Sequence, residues 1–398
     1  ASWLFLRMAS SSTDLGIWEE AEAPFQGALA EARDPRSKVV ILEWMGDFYI
    51  RQGRFIEAEE TFLAELRLEE STWGESLAGA NSEFQLGWVL RGEGRMNAAV
   101  EYFQQSLAIQ EKLAPHSRAV SKSLKYLGIV ALDRGELESA EHYFRTALKM
   151  EQELAPDGIS VTGTLNNLGS VSLSRGDSDA AEDFFRQALD HERKFRPAGR
   201  VVVVILDNLG EVARARGDLA VANHLYLEAL KLTEPLAPDM VEVAQTLHCL
   251  GLLALEQGDL EMAETRYQQA KRIVERVAPA SMKLSQILAD LGTVSARRGA
   301  LPRAESYFRQ SLALSQRLAP GSTQRAEALH LLALVLRKQG AAEPARRELA
   351  RAMEILEAEV GQLGGSAEVK GAFRAEEGGI YRDAVRQEVE LGQPREAF

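Results

Sequence analysis

The sequence predicts an all-α protein, an α-α superhelix in which helical hairpins are stacked along the chain as a solenoid. The first observation is a small residue that recurs every 41 residues, at Gly46, Gly87, Gly128, Gly169, Gly210, Gly251, Gly292 and Ala333. The second is a glycine seven residues further on in every unit, at Gly53, Gly94, Gly135, Gly176, Gly217, Gly258, Gly299 and Gly340. Because eight units keep this register without an insertion, the chain is predicted to be a repeat array in which each unit packs on its neighbours.

Each unit is predicted to form two helices joined by a tight turn. The first small residue lies within an apolar helical pattern, where glycine costs about 1 kcal/mol relative to alanine but lets a second helix come close. The second glycine is expected to end the first helix in the left-handed conformation. An alanine and, one turn later, an aromatic residue, such as Ala140 and Phe144, share one face of the second helix and are predicted to fill the gap between hairpins. Proline ends the second helix in most units, at Pro115, Pro156, Pro197, Pro238, Pro279 and Pro320.

The N-terminal segment and the regular repeats form the first two parts of the chain. Residues 1–34 repeat the turn, alanine and aromatic spacing once, with Gly16, Ala21 and Phe25, and are predicted to form one more hairpin. Residues 35–361 hold the eight 41-residue repeats. The array is therefore predicted to contain about nine hairpins.

The C-terminal segment departs from the repeat. After Gly361 the register is lost, and a new helix is predicted from Glu368 to Leu391. The last residues repeat the glycine and alanine spacing once more and stop where a second helix is expected to begin. Residues 362–398 are therefore interpreted as a C-terminal helix and the start of a further, truncated hairpin.

The composition narrows the choice of partners and location. The 398 residues carry a formal net charge of −13, so neither nucleic acid nor an anionic membrane surface is an expected partner. Apolar runs stay well short of the ~18 residues that span a bilayer. A single cysteine, Cys249, leaves no internal disulfide and fits a reducing, cytoplasmic location.

The sequence has no residue pattern typical of catalysis, and the chain is not predicted to be an enzyme. It lacks the phosphate-binding glycine loop, the dinucleotide-binding glycine pattern and the metal-binding His and Cys spacings, so no catalytic, cofactor or metal residues are assigned. His248 and Cys249 form the one pair that suggests a nucleophile. Because adjacent helical residues point about 100° apart, a hydrogen-bonded dyad is not expected there.

The repeats resemble the tetratricopeptide repeat. The shared features are the leucine before the small residue, as in Leu168-Gly169, the glycine turn, the alanine and aromatic of the second helix, and the proline that ends it. The resemblance covers nearly the whole chain and implies a solenoid whose first helices line a concave groove. The unit has 41 residues instead of the usual 34 or so, and the extra residues lengthen both helices by about two turns in total, without rotating their apolar faces.

In that family, the groove is lined by residues three before the first small residue and one, four and five after it. The resemblance carries a partner-binding role to Trp88, Lys125, Asp133, Asn166, Ser170, Asp207, Glu211, Arg214, His248 and Glu256. The strip varies from repeat to repeat, which favours a specific partner, although any solvated concave surface is also polar. Trp88 has two interpretations, a groove contact or packing near the N-terminal end of the array. Charge reversal at Asp207 and Glu211 is expected to weaken binding and leave the melting temperature nearly unchanged.

The long repeats further resemble the arrays that precede the CHAT domain of bacterial caspase-like proteases. The motifs are Leu-Asn-Asn-Leu-Gly at 165–169, the Leu-Ala-Pro breaks, the Arg-Gly-Asp or Arg-Gly-Glu turns, and the segments 381–383 and 391–398. This resemblance implies a sensor or regulatory array for a protease that would follow Phe398. Kinesin light chains have similar repeats, so a stand-alone scaffold or cargo and peptide adaptor is the alternative. The expected partner is a protein or peptide in the groove, or the chain's own downstream domain.

Overall fold

The computed structural model describes residues 22–233, 240–319, 321–362, 374 and 378–390. Every regular element within these residues is an α-helix, so the all-α prediction is confirmed. The helices are α1 (Glu22–Glu31), α2 (Pro35–Arg51), α3 (Phe55–Trp73), α4 (Leu77–Gly92), α5 (Met96–Leu113), α6 (Arg118–Asp133), α7 (Leu137–Leu154), α8 (Ile159–Ser174), α9 (Ser178–Arg193), α10 (Arg200–Ala215), α11 (Leu219–Thr233), α12 (Val241–Glu256), α13 (Leu260–Val277), α14 (Met282–Arg297), α15 (Leu301–Leu318), α16 (Thr323–Lys338), α17 (Ala342–Gln362) and α18 (Gly378–Glu390).

The turn between the two helices of each hairpin is closed by the second glycine of the repeat. Gly135 adopts a φ of +72° and its N–H donates to the carbonyl of Leu132 at 2.9 Å. The next N–H, of Glu136, donates to the carbonyl of Ala131 at 2.8 Å. These bonds satisfy carbonyls that the end of α6 leaves without helical partners, and only glycine adopts this conformation without strain. The predicted glycine cap is confirmed.

The first glycine of the repeat is a contact point for the aromatic ring of the same hairpin. A Cβ atom at Gly128 would lie 2.7 Å from Cε1 of Phe144, which is too close for any side chain. Phe144 is fully buried and also packs against Leu168 and Val171 of the next first helix. The aromatic therefore joins the two helices of its own hairpin as well as filling the gap between hairpins, which extends the sequence interpretation.

The ends of the array are described only in part. Phe25 and Ala28 of α1 are buried against α2 and α3, as expected for the second helix of a hairpin, whereas its first helix lies outside the described residues. At the C-terminus, α18 occupies the second half of the predicted helix, and Ile380 packs on α16 and α17. Most of the remainder of that prediction lies outside the described residues.

The chain separates into two compact units, residues 1–188 and 189–398, here called unit 1 and unit 2. The contact between the end of a second helix and the next first helix is here called a seam. In unit 1 three successive seams hold a buried polar pair, in which a hydroxyl donates to a carboxylate or amide oxygen at 2.6–2.8 Å. The pairs are Ser82 with Glu69, Ser123 with Gln110, and Thr164 with Glu151.

One seam of unit 2 is apolar at the equivalent positions. Val274 at the end of α13 and Ile287 in α14 lie in one buried hydrophobic cluster. Thr246 occupies the equivalent position of α12, but its hydroxyl donates to a side chain of another first helix. In unit 2, Thr246 thus joins two first helices instead of closing a seam.

Candidate partner-binding face

The predicted binding residues all lie on first helices, which in unit 1 are α2, α4, α6 and α8 and in unit 2 are α10, α12, α14 and α16. Within each unit, side chains 42 residues apart join neighbouring first helices. Arg91 of α4 donates to Asp133 of α6 at 2.8 Å, and Arg214 of α10 donates to Glu256 of α12. The first helices therefore lie side by side and form a surface, which we call the first-helix face of each unit.

In unit 1, Trp88 packs near the N-terminal end of the array, and its contact with a partner stays a prediction. Its ring centroid lies 6.3 Å from that of Phe55 at the start of α3, in a tilted arrangement. The side chain is half-buried and belongs to the rim of two hydrophobic clusters. Packing thus fixes the ring, while part of it remains at the surface.

The other predicted residues of unit 1 are tied into hydrogen bonds. The Nζ of Lys125 lies 3.2 Å from Oε1 of Glu151, whose other oxygen accepts from Thr164. Asp133 pairs with Arg91, and both side chains are one-third exposed. Asn166 and Ser170 are half-buried on α8, where the Ser170 hydroxyl donates to the carbonyl of Asn166 at 3.2 Å. This strip is therefore ordered by its own contacts.

Unit 1 also places charged side chains on its first-helix face that the sequence reasoning did not single out. Burial raises the pKa of Asp47 and of Glu43, and Asp47 adds to the shift at Glu43. Nearby, the Nζ of Lys122 lies 3.9 Å from the ring centroid of Phe84, and partial desolvation lowers the pKa of the ammonium. Glu43 and Asp47 occupy groove positions of the first repeat, so the same family spacing would have found them.

In unit 2, Asp207 is buried, which corrects the expectation that it is a solvated groove residue. Its side chain is 4% exposed, and Oδ2 accepts a hydrogen bond of 2.8 Å from the Thr246 hydroxyl. Oδ1 has no hydrogen-bond partner among the described residues. Burial raises the pKa of Asp207 to about 7, partly offset by the Thr246 bond and by the charge of Lys283. Charge reversal here would bury an unpaired ammonium, so it is expected to destabilise the fold.

His248 is likewise buried, between neighbouring first helices and the ring of Tyr267 in α13, whose centroid lies 5.6 Å from that of His248. The side chain is 2% exposed, with Nε2 2.7 Å from Oδ2 of Asp290 and Nδ1 3.3 Å from Nζ of Lys283. Lys283 is half-buried, and this burial lowers the pKa of its ammonium. Asp207, Thr246, His248, Lys283 and Asp290 together form what we call the buried polar cluster.

The pair His248 and Cys249 does not form a dyad. The Cys249 thiol accepts from the Gln245 amide at 3.4 Å, while the histidine nitrogens face Asp290 and Lys283. Burial raises the pKa of the thiol to about 12, which keeps it protonated near neutral pH.

The remaining predicted residues form a charged rim beside the cluster. Arg214 donates to both Glu211 and Glu256, and all three side chains are partly exposed. The Tyr226 hydroxyl lies 3.4 Å from Glu211. Such an arrangement offers both a guanidinium and carboxylates to a partner.

Sequence reasoning found two members of the buried polar cluster, Asp207 and His248, and missed the other three. Lys283 lies nine residues before the small residue of its repeat, outside the family groove positions that were considered. The sequence did contain one signal for Lys283, since the equivalent position of the preceding repeat is a glutamate, of opposite charge.

Two further features concern membranes and metals. In the described ranges, no helix combines the length and the apolar character needed to cross a membrane. Among the same residues, His, Cys, Asp and Glu side chains do not meet in a group of three or more that could hold a metal ion.

The stacked hairpins, the glycine turns and the first-helix faces define a helical-hairpin repeat protein. Matches to sequence-family models identify which repeat family it belongs to. Models described as tetratricopeptide repeat match residues 38–112, 94–153, 117–194 and 283–358, and the MalT-like TPR region matches residues 159–291. The matches run from residue 38 to residue 358, and the chain belongs to the tetratricopeptide-repeat family.

Solved structures share the fold at low sequence identity. The Rap protein complexed with competence and sporulation factor has a TM-score of 0.60 and 15% identity, covering 91% of this chain and 99% of that one. The apo quorum sensor NprR from B. thuringiensis has a TM-score of 0.60 and 13% identity, covering 88% and 97%. BtubC from P. vanneervenii has a TM-score of 0.50 and 21% identity, covering 58% and 94%. Comparison with curated proteins gives no sequence match.

Proposed function

We propose that this protein is an interaction module that binds an extended segment of a partner protein along its first-helix face. Binding in unit 2 is centred on the buried polar cluster, with the charged rim of Glu211, Arg214 and Glu256 beside it. The observation that carries the proposal is Asp207 Oδ1, a buried carboxylate oxygen without a partner among the described residues.

The energetics of the cluster favour a ligand over a purely structural role. A buried polar atom without a hydrogen bond costs about 1–3 kcal/mol, and more when it is charged. Thr246 satisfies one oxygen of Asp207, and Lys283 contacts His248 and Gln286 at 3.3 Å. Because Asp207 is 4% exposed, a peptide reaches it only where the neighbouring first helices move apart. There it would offer a backbone N–H to Asp207 and a backbone carbonyl to Lys283, which are the groups that an extended segment presents at regular spacing.

The similar structures are consistent with this class of function. One is a complex with a competence and sporulation factor, and another is a quorum sensor. At this level of identity they support the fold, and the choice of the first-helix face rests on the side chains of this chain.

The test is a selection of random peptides on the intact protein, followed by affinity measurements on variants. Asp207→Asn and Lys283→Met should each weaken binding of the selected peptides by about tenfold or more, since each removes a charged hydrogen-bonding group. The matched control is Lys231→Met, an exposed lysine on the second helix α11 of the same unit. Equal affinity in all three variants would contradict the site.

A regulatory role for a caspase-like protease of the CHAT type is a narrower form of the proposal. It is supported by the sequence motifs at 165–169, 381–383 and 391–398. The family models that match are of tetratricopeptide type and leave this role as a proposal. The gene sequence that follows the codon for Phe398 tests it. An adjoining protease domain would support the regulatory array, and any other continuation would favour the scaffold or adaptor.

A further inference from the structure

One repeat breaks the pattern of its neighbours at the junction between α3 and α4. The position four before the small residue is a leucine in the other seven units, at Leu42, Leu124, Leu165, Leu206, Leu247, Leu288 and Leu329, but a glutamate, Glu83, here. The position of the proline that ends the preceding second helix in six units is Gly74, which adopts a φ of +66°. Two constant scaffold positions are therefore replaced in the same place.

A cavity of about 330 Å³ lies at this junction. The end of α3 and the loop after it contribute Glu70 and Glu75, α4 contributes Glu83, and Leu66 and Ile109 supply apolar walls. Its volume falls at the lower end of the range of about 300–1,000 Å³ for pockets that hold small ligands. The cavity thus combines three carboxyl groups with a hydrophobic lining.

Glu83 is the unusual group in this cavity. Its side chain is 7% exposed, and its Oε2 is buried without a hydrogen-bond partner in the described part of the chain. Burial raises its pKa to about 7, and the charges of Glu70 and Glu75 add to the shift. A carboxyl group in the place of a core leucine, with one oxygen that has no partner among the described residues, suits a cation that arrives from outside.

At the rim of the cavity, one of the carboxylates forms an ion pair with a lysine of the same chain. The Nζ of Lys112, near the end of α5, lies 2.5 Å from Oε2 of Glu75, and both side chains are largely exposed. The three carboxylates are not grouped as metal ligands, because the described residues contain no such group of three. A cationic side chain with an aliphatic stem fits better, since the stem can pack on Leu66 and Ile109 while its charged end reaches Glu83.

We propose that this cavity is a second binding site, which receives an arginine or lysine side chain of a basic partner segment between Glu70 and Glu83. The site lies in unit 1, on residues separate from the buried polar cluster, and its occupation does not depend on the first-helix face being a binding surface. Guanidinium is favoured over ammonium where two carboxylates flank the ligand, because its planar fork can donate to both.

The test uses the intact protein with isotope-labelled isoleucine methyl groups, titrated with N-acetyl-argininamide. The expected result is a saturable shift of the Ile109 methyl signal. The uncharged N-acetyl-citrullinamide, which has nearly the same shape, should bind at least about tenfold more weakly because it lacks the charge. Equal shifts with the two compounds would overturn the proposal.

Two variants at Glu83 separate charge from shape. Glu83→Gln keeps the size of the side chain and should weaken argininamide binding about tenfold, whereas Glu83→Leu restores the residue of the other seven repeats and should abolish it. The matched control is Glu138→Gln, an exposed residue in the first turn of α7, which should leave binding unchanged. If Glu83→Gln binds argininamide as tightly as the wild-type protein, Glu83 is not part of the binding site. A normal thermal transition in Glu83→Leu would show that the variant is folded, so that its loss of binding reports on the site.

Discussion

The two compact units share one scaffold but place their buried polar side chains differently. In unit 1, polar side chains form closed pairs in the seams, such as Ser82 with Glu69 at 2.6 Å. In unit 2, the seam between α13 and α14 is apolar, with Val274 and Ile287 in one cluster, and the buried polar cluster lies among the first helices. The scaffold therefore tolerates both arrangements at equivalent positions of the repeat.

The two arrangements also differ in how completely their polar atoms are hydrogen-bonded. The seam pair of Thr164 and Glu151 is satisfied by a hydroxyl, and the carboxylate has Lys125 as a second partner. In the buried polar cluster, Asp207 keeps one oxygen without a partner in the described residues. Satisfied pairs specify how hairpins dock, whereas the unpaired oxygen of Asp207 is the feature on which the proposed ligand site rests.

The largest expected effect concerns the aromatic position, where the two units are alike. Phe144→Ala should lower the free energy of unfolding by about 3–5 kcal/mol, because it leaves a cavity against Gly128 and the next hairpin. Chemical denaturation monitored by circular dichroism measures this loss. The matched control, Phe195→Ala, removes a phenylalanine that is half exposed and should cost far less. Equal losses would contradict the packing role of the repeat aromatic.

The next effect is a pH dependence that arises from Asp207. In the unfolded chain this carboxyl loses its proton near pH 4, whereas in the folded chain its pKa is about 7. Between these values the folded state binds more protons, so stability falls as pH rises through the window and is lowest above pH 7. Asp207 should account for about 2–4 kcal/mol of this change, an upper range because Thr246 and Lys283 also respond.

The measurement is denaturant unfolding at pH 5 and pH 8 for the wild-type protein and Asp207→Asn. The variant should show a smaller loss of stability at pH 8. Burial also raises the pKa of Glu65 to about 8 and of Glu83 to about 7 in unit 1, so a part of the pH dependence should remain. The same dependence in both proteins would contradict the buried, raised state of Asp207.

A smaller effect tests the seams directly. Ser82→Ile places an apolar side chain against the buried carboxyl of Glu69 and should destabilise the fold by about 1–3 kcal/mol. The double variant Glu69→Val with Ser82→Ile copies the seam of Val274 and Ile287 in unit 2 and should recover much of that loss. A double-mutant cycle should therefore give a coupling energy of about 1–3 kcal/mol. Additive effects would show that the two seams are not interchangeable.

Much of the fold could be predicted from the sequence, because each hairpin has the same conformational and packing requirements at the same positions of the 41-residue repeat. The backbone at Gly135 has a positive φ, and a side chain at Gly128 would collide with an aromatic ring. Both conditions favour glycine, which is therefore found at these positions in nearly every unit. The candidate site was predicted less well. Asp207 and His248 were placed on the correct helices, but each contacts a first helix two elements further on, Asp207 through Thr246 and His248 through Asp290. Repeat spacing alone does not report such contacts.

The smallest expected effect in energy, about tenfold in affinity, is also the most informative, and it concerns the claim that ligands bind at the buried polar cluster. A peptide that donates a hydrogen bond to Asp207 Oδ1 should favour the ionised carboxylate and lower its pKa, so binding near pH 7 should release protons. Calorimetric titration of a selected peptide in two buffers of different ionisation enthalpy measures that release. The account predicts an apparent enthalpy that depends on the buffer for the wild-type protein and much less so for Asp207→Asn. The same buffer dependence in both proteins would place the ligand elsewhere.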